Sequence, residues 1–175
     1  MESMGYAFEV MASDIDEKKI RFDDPKKMTL ALATAKAENL LAKIKEPAIL
    51  ITTDLVVICN NKIREKPENA EQAREYLRDY AIYPAETVGA VVVTNTATGK
   101  QAGGVDIGKV YFSPIPESVI EKLILKGDVF DAAGSFMVEE PILKNYIKRI
   151  EGEWESVMGL PKSLTARLLH EVMQR

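Results

Sequence analysis

The sequence has one cysteine, one histidine and one tryptophan in 175 residues. With Cys59 alone, no disulfide can close within the chain, which fits a reducing, cytoplasmic setting. With His170 alone, multi-histidine metal sites are excluded and a Ser-His-Asp triad is disfavoured. Positive charge is not in excess: 23 Lys and Arg stand against 27 Asp and Glu, for a net charge of −4. No global basic field therefore draws in nucleic acid, and the scattered tyrosines form no stacking platform for single strands. No apolar run approaches the ~20 residues that span a bilayer. The opening MESMGYAFEVMASDIDEKK has no basic flank before an apolar core, so it does not read as a secretory signal. Neither GxxxxGK[ST] nor GxGxxG occurs, which removes P-loop and Rossmann phosphate sites. Repeats, low-complexity tracts and Pro/Gly/Ser-rich linkers are also missing.

What remains is an ordinary soluble balance, 46% hydrophobic and 29% charged, in a chain long enough for one domain over residues 1–175. Phe8 to Met11 reads as the end of a short strand, followed by a polar loop with Asp14, Asp16 and Glu17. Asp24-Pro25 predicts a helix start, an N-cap acid followed by proline in the first turn. Met28, Ala31, Leu32, Ala35, Leu40, Leu41 and Ile44 recur at helical spacing until Pro47. Ala48 to Ile58 is apolar nearly throughout, as in a strand covered on both faces. Asn60-Asn61 is a turn pair, and a second helix runs from Pro67 to Tyr80. Thr87–Thr94 and Val105–Phe112 read as a strand pair joined by the turn at Asn95 to Lys100. A helix from Pro116 to Lys126 closes on Gly127. Ala132-Ala133-Gly134-Ser135 is a small-residue loop, Ile142 to Ile150 is helical or mixed, and Pro161 to Met173 is a last amphipathic helix. Interspersed helices and strands predict an α/β or α+β domain with a mixed sheet.

One residue breaks this pattern. Asp54 sits inside the apolar run, where a carboxylate is costly unless paired, hydrogen-bonded or holding a metal. Taken singly, Asp54 reads as a satisfied polar residue near a strand end, Lys36 and Lys66 as solvated lysines, and Glu17 as part of an acidic loop. Taken together they suit a polyphosphate. Two acids from different segments can hold a hard cation such as Mg²⁺ through oxygen, and lysines beside it can neutralise phosphate oxygens. That combination serves hydrolysis at phosphorus, where positioning and charge stabilisation carry most of the catalysis.

Several short motifs, in order along almost the whole chain, carry a resemblance. They are Gly5-Tyr6-Ala7-Phe8, Asp16-Glu17, Ala33-Thr34-Ala35-Lys36-Ala37, Thr53-Asp54-Leu55-Val56-Val57, Glu65-Lys66-Pro67, Asp131-Ala132-Ala133-Gly134-Ser135-Phe136 and Val157-Met158-Gly159-Leu160-Pro161. With them the chain resembles the Maf family of nucleotide pyrophosphatases, the septum-formation-like proteins. The resemblance implies an α/β fold related to the inosine-triphosphate pyrophosphatases, with two lobes around a cleft. It implies hydrolysis of non-standard nucleoside triphosphates to monophosphate and pyrophosphate with a divalent cation, Mg²⁺ or Mn²⁺, in a cytoplasmic homodimer. The family's general base falls on Asp54, its metal-binding acid on Glu17 together with Asp54, and its phosphate-facing lysines on Lys36 and Lys66.

The pattern is broken in two places. Family members open with a strand and a Ser-rich, Arg-containing phosphate loop, and this chain starts just after them, with Met1 to Met4 falling where the first helix should be ending. On that ground a catalytically silent nucleotide-binding or dimer-forming protein is the alternative to an active enzyme. Around the base, Leu55 stands where many members have Thr or Gln, and Val138-Glu139 where many have Ile-Gln. Leu55 cannot hydrogen-bond a base, and the Ala133-Gly134-Ser135-Phe136 form with the later Glu139 resembles the subgroup acting on 7-methyl-GTP. A carboxylate can accept from the N1 and N2 hydrogens of guanine and favours a cationic methylated base. Glu139, beside Glu140, is also readable as a solvated loop acid.

Overall fold

The first helix begins where the sequence places it. Asp24 has extended backbone angles and its carboxylate accepts from the Lys26 N–H, while Pro25 takes the first helical position, where a missing N–H costs nothing. The structure, a computed structural model, describes residues 5–174. The expected helix ending at Met1 to Met4 lies outside the described residues. Helix α1 spans Pro25–Leu41. It stops short of Pro47: Lys43 N–H bonds to Leu40 O in a tight closing turn. Ile44 follows the helical spacing only in that it packs on the same apolar cluster.

Strand β1 (Ile49–Cys59) turns through Asn60-Asn61 into the short β2 (Lys62–Arg64). Both asparagines have positive φ, 51° and 58°, the geometry of a two-residue hairpin turn that matches strand twist. The register is Val57↔Arg64, Ile58↔Ile63 and Cys59↔Lys62, antiparallel. Helix α2 (Ala70–Asp79) follows, then β3 (Ala85–Asn95) and β4 (Gln101–Phe112). After α3 (Glu117–Lys126), which ends on Gly127 at φ 91°, come one-turn α4 (Pro141–Lys144), strand β5 (Ile147–Glu151), one-turn α5 (Trp154–Val157) and α6 (Lys162–Met173). The five strands are hydrogen-bonded in the order β2-β1-β3-β4-β5, with β5 antiparallel to β4. The fold is α/β.

Two local expectations are corrected, and a third is made specific. Phe8 to Met11 is not a strand but exposed, irregular chain. Helix α2 begins at Ala70 rather than Pro67, because the Asn69 side chain accepts from Gln72 N–H and fixes the N-cap there. The mixed stretch after Ile142 resolves into the end of α4 and then β5.

The chain divides into two compact units. One comprises the chain up to Asp54, Gly89–Asp106 and the chain from Leu160 onward. Its centre is β3, whose side chains alternate between two helices. Ala90 and Val92 pack with Ala33, Ala37 and Leu40 of α1. Val91 and Val93 pack with Leu164, Leu168, Leu169 and Val172 of α6. On β4, a Cβ at Gly104 would stand 2.7 Å from Leu164 Cδ1, so the α6 side chains rest directly on the glycine.

The other unit comprises Leu55–Val88 and Ile107–Gly159. Its core gathers Val57 and Cys59 of β1, Leu77 of α2, Val110 and Phe112 of β4, and Ile120 and Leu123 of α3. Arg74 pairs with Glu121 and Arg78 with Glu117, which ties α2 to α3 along their lengths.

Candidate active site

Asp54 lies near the middle of β1, on the same side as Leu50 and Thr52. Leu50 packs in the α1 cluster. The buried Thr52 hydroxyl donates to Ala33 O of α1 at 2.7 Å. This tie registers the helix against the strand and brings Lys36, one turn's reach along α1, over Asp54. Lys36 Nζ donates to Asp54 Oδ1 at 2.7 Å and also stands 2.9 Å from Glu17 Oε1. Glu17 comes from a 3₁₀ turn, Glu17–Lys19, in the loop before α1. The Asp54 side chain is only 9% exposed, that of Glu17 53%.

The electrostatics follow from this burial. Desolvation pushes the Asp54 carboxyl above its ordinary value, and the hydrogen bond and charge of Lys36 offset only part of that. For Lys36, burial works downward, but hydrogen bonds to Asp54 and then Glu17 outweigh it and hold the ammonium above the usual lysine value. Lys36 is thus a fixed cation. Two of its three N–H groups are engaged by carboxylates, and the third has no acceptor among the described residues.

In the other unit, Leu55 and Glu139 line one cavity of ≈ 330 Å³. Its walls are otherwise Val57, Ala132, Ala133, Phe136, Met137, Val138, Val157 and Met158. The lining is apolar apart from the Glu139 carboxylate, a composition common in small-molecule sites. The neighbouring Glu140 is a different kind of residue. It is 8% exposed, accepts from Ile142 N–H and Leu143 N–H at the start of α4, and pairs with Lys126. Burial alone would raise its carboxyl, but the two backbone N–H groups and Lys126 hold it below the ordinary glutamate value. Glu140 is committed to the fold, and Glu139 is the exposed member of the pair.

Lys66 lies in a bend after β2, exposed, with no ion pair among the described residues. It belongs to the same unit as the cavity, whereas Glu17, Lys36 and Asp54 belong to the other. Of the four residues expected to serve a polyphosphate, Glu17 and Asp54 therefore meet at Lys36, and Lys66 lies in the unit of Leu55 and Glu139. The remaining singular residues are accounted for. Cys59 is buried and its thiol is pushed up to about 11 by desolvation, so it is inert. Trp154 packs on the core with the Lys144 ammonium 5.2 Å from its ring. His170 is exposed on α6.

The sequence singled out Leu55 and Glu139 but not the walls between them. Phe136, Met137, Val157 and Met158 carry no chemical signal of their own. Two of the motifs quoted above, Asp131 to Phe136 and Val157 to Pro161, turn out to supply much of the lining. Thr52 carries no signal in the sequence, because a hydroxyl in a strand looks neutral until its acceptor, Ala33 O, is in place.

As to a metal, Glu17 and Asp54 supply hard carboxylate oxygens that reach a common point, now held by Lys36. Among the described residues no group of three or more His, Cys, Asp or Glu is gathered to hold an ion. This donor set suits Mg²⁺, which usually takes one or two carboxylates and completes its shell with water and substrate phosphates.

Comparison with known proteins gives a consistent picture. Residues 1–172 match the family described as Maf-like protein. A 7-methyl-GTP pyrophosphatase of Dictyostelium discoideum is 46% identical, over 98% of this chain and 89% of its own length. A dTTP/UTP pyrophosphatase of Vibrio vulnificus (strain YJ016) is 31% identical, over 98% and 90%. A nucleoside triphosphate pyrophosphatase of Synechococcus sp. is 27% identical, over 98% and 87%.

Proposed function

This chain belongs to the Maf-like protein family, and from that premise we propose that it hydrolyses modified or non-standard nucleoside triphosphates to the monophosphate and pyrophosphate. The observation that carries the reading is the largely buried Asp54 carboxylate held at 2.7 Å by the Lys36 ammonium.

In this reading Asp54 is the general base. Its raised pKa makes it a better proton acceptor than an ordinary aspartate. Water attacks the α-phosphorus, its oxygen forms the new P–O bond, and its proton passes to Asp54. The bond between the α-phosphorus and the bridging oxygen breaks, and pyrophosphate leaves. Lys36 offers its remaining N–H and its charge to a phosphate oxygen. Lys66, solvent-facing and without an ion pair among the described residues, is a second phosphate ligand. Glu17 and Asp54 would hold a divalent cation, Mg²⁺ or Mn²⁺, which supplies charge neutralisation to the triphosphate.

The cavity lined by Leu55 and Glu139 takes the nucleobase. Leu55 offers apolar contact only, and Glu139 accepts hydrogen bonds, a combination that suits 7-methyl-GTP. The 46% identical relative bears that name, whereas dTTP/UTP names belong to relatives near 30% identity. The alternative, a silent nucleotide-binding or dimer-forming protein, shares the nucleotide site but not the chemistry. Pyrophosphate release from 7-methyl-GTP, dTTP and UTP, measured with Mg²⁺ on the native protein and on Asp54→Asn, separates them. An enzyme releases pyrophosphate, and its Asp54→Asn variant loses about 10²–10⁴-fold of the rate. Nucleotide-induced thermal stabilisation without any product in the native protein would establish the silent binder instead.

A further inference from the structure

Tyr80 is a buried polar side chain that the chemistry above does not use. It caps the C-terminal end of α2, is 1% exposed, and packs its ring 5.6 Å from Phe112 and edge-on 6.0 Å from Phe136. A phenylalanine would fill the same space. What the hydroxyl adds is one bond: it donates to Gly134 O at 2.7 Å. Burial pushes the phenol well above its ordinary pKa, so it keeps its proton and remains a donor.

Gly134 is held from its other end as well. Its N–H donates to Glu65 O at 2.9 Å, and Glu65 immediately precedes Lys66. The residue sits at φ 64°, and a Cβ there would stand 2.5 Å from the Tyr80 hydroxyl and 3.1 Å from the Arg64 Cβ. Arg64 is fixed in turn by ion pairs to Glu75 and Asp79 of α2. Gly134 lies within the segment that supplies Ala132, Ala133, Phe136, Met137, Val138 and Glu139 to the cavity. One chain of two hydrogen bonds, Tyr80 to Gly134 to Glu65, therefore registers the cavity wall against the segment carrying Lys66.

We propose that Tyr80 is a positioning residue that sets the span between the nucleobase cavity and the phosphate-binding Lys66. The inference rests on reading the cavity as the base site and Lys66 as a phosphate ligand. Without the hydroxyl, each half of the site persists but the two lose their fixed spacing. A ligand that bridges both halves then loses affinity, while a ligand of either half alone does not. A binding group displaced in ground state and transition state alike raises KM and leaves kcat nearly unchanged.

The test is Tyr80→Phe in the full chain. The KM for 7-methyl-GTP is expected to rise about tenfold while kcat changes by less than about threefold. Dissociation constants for 7-methylguanosine alone and for inorganic tripolyphosphate alone are expected to stay within about twofold of the native values. Phe112→Leu, which loosens the same aromatic cluster without touching the hydroxyl, should lower the melting temperature and leave KM near native. The proposal is overturned if Tyr80→Phe leaves KM unchanged, if the two fragments weaken as much as the whole nucleotide, or if Phe112→Leu raises KM equally. Native protein that turns over 7-methyl-GTP alongside an unaltered Tyr80→Phe sinks only the positioning role. Native protein that binds neither fragment sinks the reading of the site as well.

Discussion

The two residues in contact at the centre of the site respond to pH in opposite senses. Asp54 has a folded-state pKa above its unfolded value, because burial disfavours the charged carboxylate. Its contribution to stability is complete below the unfolded pKa and is lost as pH rises through the folded one. Where Asp54 is ionised, its burial is a cost that Lys36 offsets only in part; Asp54→Asn keeps an oxygen that can accept from Lys36 and leaves the Glu17 ion pair in place, so it should melt no lower than the native protein while its activity collapses. The native protein should gain on the variant as pH falls into the carboxyl range. The rate profile should show an acid limb above the ordinary aspartate value, missing from the residual activity of the variant. A melting temperature for Asp54→Asn several degrees below native at pH 7 would contradict this. Lys36 behaves differently: its pKa is raised by its two carboxylate partners, so its contribution persists until strongly alkaline pH. Lys36→Met should cost about 1–3 kcal/mol at pH 7, the penalty of leaving the largely buried Asp54 carboxylate unpaired. That deficit should shrink as acid protonates Asp54, which urea titrations at two pH values can measure.

At the scale of an element, the segment from Ala132 to Glu140 shows how adjacent glutamates divide labour. Glu140 caps α4 through Ile142 and Leu143 N–H groups and pairs with Lys126. Its lowered pKa means stability that is present above the unfolded value and lost as pH falls through the folded one. Glu140→Ala should lower stability by about 1–2 kcal/mol. Glu139→Gln should stay within about 0.5 kcal/mol of native yet shift selectivity from 7-methyl-GTP toward dTTP and UTP in competition assays. The reverse pattern, with Glu139 stabilising and Glu140 setting selectivity, would reject the division. The sequence could not make this distinction, since two neighbouring acids in a loop look alike until one finds N–H donors. Elements with strong local chemistry were legible: the Asp24-Pro25 start, the Asn60-Asn61 turn, and the Gly127 stop all stand where residue type puts them. Those needing a distant partner were not. Phe8 to Met11 has strand-like residues and no strand beside it, and β5 becomes a strand only because β4 offers an edge at Val110↔Ile150.

At the scale of the whole molecule, the legible part of the site was its charge, and the illegible part was its apolar wall. Asp54 announced itself by being the wrong residue in a run from Ile49 to Cys59, but Lys36 was legible only as a phosphate-facing lysine, and its ion pair with Asp54 needs the helix seated on the strand. The cavity around Leu55 is made of side chains indistinguishable from core by type. The charge also bears on how a cation enters. Glu17 and Asp54 already share one ammonium, and no third acid or histidine joins them among the described residues. A bare divalent ion must therefore compete with Lys36 for two oxygens and find the rest of its shell in water, so its own affinity should be weak. A triphosphate changes both terms at once, giving Lys36 a new acceptor and the cation further oxygens. Cation and nucleotide should consequently bind as a pair. With Mg²⁺ alone at millimolar concentration the melting temperature should barely move. With Mg²⁺ and a non-hydrolysable triphosphate at about 100 times its Kd, the stabilisation should approach the ~2.7 kcal/mol that mass action gives. Chelation should abolish pyrophosphate release, and restored Mg²⁺ should recover it. A full thermal shift from Mg²⁺ without nucleotide would mean that the protein holds the ion by itself, and that Glu17 and Asp54 are not its principal ligands.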